Sequence, residues 1–128
     1  MSYIVEDDGT VKVYQGDTAQ IPFYDIPNDK DYLFSLGIFD SAKRFIGEFT
    51  KRTEKQEVLF IDIPASFTDK LKVFRSFKFQ VYYYGVKLSD VETGREDTCT
   101  VNNKEYGSLN RLVVYPKQSE GLINEQQQ

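Results

Sequence analysis

Most of the chain consists of short stretches in which apolar and polar side chains alternate with a period of two. That is the spacing of pleated strands that turn one face inward. Val11-Lys12-Val13-Tyr14 alternates cleanly before Gln15-Gly16-Asp17 interrupts it with turn chemistry. Alternation resumes with Ala19, Ile21 and Phe23 against Thr18, Gln20 and Pro22. A glycine between the two halves predicts a kink or bulge carrying the chain between sheets, and Pro22, which has no N–H, predicts an edge or bulged position. Asp25 to Asp31 reads as a polar loop. Tyr32 to Phe39 is the next strand, with Phe34, Leu36 and Ile38 on one side. Asp40-Ser41-Ala42-Lys43 closes a hairpin into Arg44 to Thr50, where Phe45, Gly47 and Phe49 share a face.

After a charged loop from Lys51 to Gln56, the segment Glu57 to Ile63 sets Leu59, Ile61 and Ile63 opposite Val58 and Phe60, and Asp62 marks the outward face. From Pro64 to Leu71 the period of two is lost. A proline opening the segment, with Phe67 and Leu71 four apart, predicts one helical turn. Phe77 to Tyr84 reads as the longest strand, with Phe77, Phe79, Val81 and Tyr83 on one face and Lys78, Gln80, Tyr82 and Tyr84 on the other. Gly85 then predicts a turn or bulge before Val86-Lys87-Leu88. Ser89 to Asp97 is a polar, acidic connection, Thr98 to Val101 a short strand, and Asn102-Asn103-Lys104 a turn. Leu109 to Tyr115 is the last strand, and Pro116 ends it. The pattern predicts an all-β fold, an antiparallel β-sandwich of about seven to nine strands with one short helical turn. It divides the chain into an N-terminal arm (1–9), a sandwich domain (10–116) and a polar C-terminal tail (117–128).

Composition narrows the functional classes. A chain of 128 residues, 40% apolar and 28% charged, is one ordinary globular domain. Its formal charge of −4 argues against binding a phosphate backbone, so nucleic acid is not an expected partner. There is no histidine, which removes the commonest general base and metal ligand. Cys99 is alone, so neither an intrachain disulfide nor a thiolate metal cage can form. No apolar run approaches the ~20 residues of a membrane span, so no membrane partner is expected. The opening Met1 to Asp8 shows no leader pattern, and cytosolic synthesis is the expectation.

Acidic residues cluster at Asp7-Asp8, at Asp25/Asp29/Asp31, at Asp90/Glu92 and at Glu96-Asp97. Spacing alone nominates no pair for carboxylate hydrolysis. The Asp25–Asp31 loop lacks the glycine and terminal glutamate of the helical calcium loop, and its carboxylates read as solvated. Tyr82-Tyr83-Tyr84 suggests either a stacking platform for sugars or single strands, or core plus protein interface, and the second reading is favoured. Cys99, between two threonines, reads as a buried structural thiol. The sequence therefore nominates no catalytic, cofactor or metal residue.

The stretch Val13-Tyr14-Gln15-Gly16-Asp17-Thr18-Ala19-Gln20-Ile21-Pro22-Phe23 resembles the strand–Gly-Asp-Thr–strand opening of small β-sandwich domains in tailed-phage virion proteins. Ile61 to Thr68 is similar to their strand-then-proline turn, although Ser66-Phe67 intervenes before Thr68. Phe79 to Val86 is similar to the tyrosine-rich strand that follows, and Glu96–Val101 and Leu112–Pro116 to the closing strands. The resemblance implies an immunoglobulin-like structural domain in a virion, with no catalytic residues. The implied role is non-enzymatic: capsid decoration, head fibre, or tail and baseplate adaptor. Its partners are then other virion structural proteins in an oligomeric assembly, with Tyr82, Tyr84 and Tyr115 at the contacts and the terminal arm draped over a neighbour. The alternative is a carbohydrate-binding module engaging host cell-surface glycan through exposed tyrosines and an acidic loop.

Overall fold

Two sheets face each other, and the strand sequences show which side of each turns inward. The computed structural model describes residues 3–74, 76–99 and 108–118. In chain order its elements are β1 (Tyr3–Val5), β2 (Val11–Tyr14), β3 (Ala19–Phe23), β4 (Tyr32–Phe39), β5 (Phe45–Arg52) and β6 (Leu59–Ile63). They continue with α1 (Ala65–Thr68), β7 (Gln80–Asp90), β8 (Glu96–Cys99) and β9 (Asn110–Tyr115). The larger sheet has seven strands in the order β1-β2-β9-β7-β4-β5, with β8 also pairing β7; β3 and β6 form the smaller sheet. Pairings among the described strands are antiparallel except β2 with β9, which is parallel. This is the all-β sandwich the alternation predicts, except that one pair, β2 with β9, is parallel in an otherwise antiparallel arrangement.

The core lies between the sheets. Val11, Val13, Leu112, Val114, Tyr82, Tyr84, Val86, Phe34, Leu36 and Ile38 from the large sheet pack on Ala19, Ile21, Phe23, Leu59, Ile61 and Ile63 from the small one. Strict alternation makes this possible: in β3 and β6 every second residue is buried, while Gln20, Phe60 and Asp62 between them are exposed.

The predicted corner at Gly16 is present. Gly16 has φ +89°, a conformation that costs a side chain ~1–2 kcal/mol, and the chain passes there from the large sheet to the small one. Its fastener is Thr68, the last residue of α1. The buried Thr68 hydroxyl accepts the Gly16 N–H at 3.1 Å and donates to the Asp17 carbonyl at 2.7 Å. A second tie closes the link between α1 and β7, where the Tyr82 hydroxyl donates to the Lys72 carbonyl at 2.7 Å.

Two expectations are corrected. Gly85 neither turns nor bulges the chain: β7 runs through it to Asp90, with Gly85 directly opposite Gly37 of β4. Residues 3–5 of the expected arm are a strand paired to β2. The turn placed at Asn102-Asn103-Lys104 and the tail from residue 119 lie outside the described residues.

Candidate functional site

Of the three expected contact residues, the structure places only Tyr115 on an outer surface. Tyr82 is 7% exposed and Tyr84 fully buried, both in the core. The parity along β7 is as the sequence implies, but the sides are exchanged. Tyr82 and Tyr84 share their face with the inward Val86 and Leu88, so Val81, Tyr83 and Gly85 turn outward. Reading β7 as ending at Gly85 discards Val86 and Leu88, the two residues that decide which face is core.

Their hydroxyls show why tyrosine serves inside. Tyr84 donates to the Gly9 carbonyl and accepts from the Asn110 side-chain amide at 3.3 Å, so both polar ends are satisfied. Burial pushes the Tyr84 phenol up to about 12.

The outward side of the large sheet carries a band of aromatic and aliphatic side chains from β5 to β2. At its β5 end, Phe45 (59% exposed) meets Phe39 edge-on, with ring centroids 5.7 Å apart. These two rings lie over Gly37, and Phe39 and Leu109 border Gly85, so the cross-strand glycine pair forms a floor without side chains of its own. A Cβ on Gly85 would come within 2.9 Å of Leu109. Tyr83 follows, opposite Phe39 on one side and Arg111 on the other, with the Lys43 ammonium 5.3 Å from its ring centroid. Val81 pairs with Val113, which in turn lies opposite Lys12. At the β2 end, Tyr115 contacts Phe79 (44% exposed) at 5.7 Å and Tyr14 (40% exposed) at 5.8 Å. Lys43 and Arg111 place positive charge beside the band, although the chain as a whole is acidic, while Lys12 is ion-paired to Glu6 at 3.3 Å.

The other half of the same sheet face is polar. Ser35 lies opposite Lys87 and Thr50, and Lys87 is paired to Glu96 at 2.9 Å. The acidic positions nearby knit loops together. Asp29 accepts the Tyr32 hydroxyl, and Asp31 accepts the Arg52 guanidinium and the Glu54 N–H. Asp90, largely buried, accepts the Lys30 ammonium at 2.8 Å and the Glu92 N–H; that ion pair and hydrogen bond pull its carboxyl down to about 2. Among the described residues, no group of three or more acidic or cysteine side chains is placed to hold a metal ion, and no helix is long and apolar enough to cross a membrane. Cys99 is half-buried at the end of β8, where burial pushes its thiol up and away from thiolate chemistry.

A groove of about 670 Å³ opens between β3 and the strands β7 and β8, with Ile21, Phe34, Tyr84 and Val86 in its walls. All four are core residues. The outer-face band remains the arrangement best suited to recognition. No protein-family model matches the chain, and no curated protein matches it.

Proposed function

We propose that this chain is a non-enzymatic structural subunit that works by protein–protein contact through the outer-face band of its large sheet. The observation that carries the reading is the outward row from Phe45 through Phe39, Tyr83 and Phe79 to Tyr115 and Tyr14, in which Phe45, Phe79 and Tyr14 are exposed and the other three half-buried. Aromatic side chains bring large contact areas at low entropic cost, and contiguous exposed apolar surface marks interaction sites. Cations near the band favour an acidic partner surface. The phage resemblance of residues 10–116 supplies the setting: a virion, in capsid decoration, a head fibre, or a tail or baseplate adaptor.

The test is incorporation of Phe45→Ser/Phe79→Ser into particles, followed by cross-linking at Lys12 and Lys43. Both phenylalanines are exposed, so thermal unfolding of the free variant should stay close to wild type. Incorporation should fall by at least about tenfold, the equivalent of ~1.4 kcal/mol. Undiminished incorporation, or cross-links that avoid both lysines, would overturn the reading. Binding on a glycan array that EDTA abolishes would replace it with a carbohydrate-binding module.

A further inference from the structure

Charge and apolar surface are segregated along the strand axis. The topology gathers the loops 6–10, 24–31, 53–58 and 91–95 at one end of the sandwich, and the segments 15–18, 40–44, 64–74, 76–79 and 116–118 at the other. The first end carries exposed Asp7, Asp25, Glu54, Glu57 and Glu92, and its loops hold nine acids against the three bases Lys30, Lys55 and Arg95. The second carries exposed Lys43, Lys70, Lys72 and Lys78, and its described residues hold six bases against the three acids Asp17, Asp40 and Asp69. Each end also exposes apolar side chains among its charges. Tyr24 (64%), Val58 and Val91 stand at the acidic end, and Phe74 (59%) and Phe77 (53%), packed edge-on against each other, at the basic end.

We propose that the chain associates with a second copy of itself end to end, the acidic loop end of one molecule on the basic end of the next. Two features select a second copy. Each end is the electrostatic complement of the other, and exposed aromatic and aliphatic groups on both give the contact an apolar centre. Side by side, two molecules of charge −4 repel. End to end, opposite charges meet. The eleven residues of β7 hold the poles roughly 35 Å apart at ~3.3 Å per residue, far beyond the ~8 Å screening length of physiological salt. The poles therefore do not neutralise each other within one molecule. The contact is heterologous, so it propagates into rings or filaments. Its basic end adjoins the outer-face band, sharing Phe79 and Lys43 with it, while its acidic end lies at the opposite pole.

Sedimentation of the full chain at about 20 mM and about 500 mM salt, on either side of physiological screening, tests this. Association at low salt should weaken at least about tenfold at high salt. Glu57→Lys/Glu92→Lys and Lys70→Glu/Lys72→Glu change only exposed side chains, and each variant alone should be monomeric at low salt. Mixed in equal amounts, the two should associate again, because each now carries the end that the other lacks. A monomeric wild type at low salt, salt-indifferent association, or a mixture that stays monomeric would overturn the proposal. Glu57→Lys/Glu92→Lys, at the pole away from the band, should lose self-association while keeping particle incorporation, which separates failure here from failure of the outer-face reading.

Discussion

Among the described residues, Tyr84 is the largest side chain with no exposure to solvent, and it joins three distant parts of the chain: its own strand, Gly9 and Asn110. Tyr84→Phe leaves the Gly9 carbonyl and the Asn110 amide without this partner. It should lower unfolding stability by ~1–3 kcal/mol in a urea titration. Tyr84→Ala opens a cavity as well and should cost ~3–5 kcal/mol, a large share of the ~5–15 kcal/mol of a typical domain. The pH dependence follows the same groups. The Tyr84 phenol ionises near 10 when unfolded and about 12 when folded, so the unfolded chain loses its proton first and stability should fall as pH rises between those values. Asp90, held at about 2 against 3.8 when free, should contribute stability above pH 4 that is lost as pH drops toward 2. Thermal unfolding across both ranges checks the two signs; a flat profile would contradict them. At this scale the sequence shows which residues of β7 share a face. It does not show which face is buried, because Phe79, Val81 and Tyr83 are as apolar as Tyr82, Tyr84 and Val86.

Individual elements were legible wherever one face is polar. The Leu59–Ile63 strand, with Phe60 and Asp62 outward, and the Tyr32–Phe39 strand, with Phe34, Leu36 and Ile38 inward, stand as their alternation predicts. The Gly16 corner was legible as a kink, but its fastener was not. Thr68 lies 52 residues away, and only the fold brings it there. Thr68→Val keeps the shape while removing a donor and an acceptor, and should destabilise by ~1–3 kcal/mol; Thr68→Ser should restore most of the loss. Gly47 has a similar dependence on a distant partner. A Cβ there would come within 2.6 Å of the Phe67 ring, which packs edge-on against Phe49. Gly47→Ala should therefore displace α1 and cost ~1–3 kcal/mol by overpacking, read as a lowered urea midpoint.

For the whole molecule, the acidic pairs were visible in the sequence as scattered clusters. Their gathering at one end is a product of topology, as is the continuity of the aromatic band. Phe45, Tyr83 and Tyr115 are far apart along the chain and become one surface only through the β5-β4-β7-β9 order. The parallel pairing of β2 with β9 also sets when the sheet can close during synthesis. Val11 lies opposite Leu112, so the β1–β2 hairpin joins the sheet only through β9, the last of the described strands to be made. Until β9 leaves the ribosome, β7 lacks its Asn110–Tyr115 neighbour and the N-terminal hairpin has no sheet to join. Amide hydrogens of Val11–Tyr14 and Leu112–Val114 should therefore gain protection together in pulse-labelled refolding, and earlier protection of β2 alone would contradict this order. A newborn chain thus passes through a stage with strand edges open to neighbouring nascent copies, so sparing expression at low temperature should favour its recovery in soluble form.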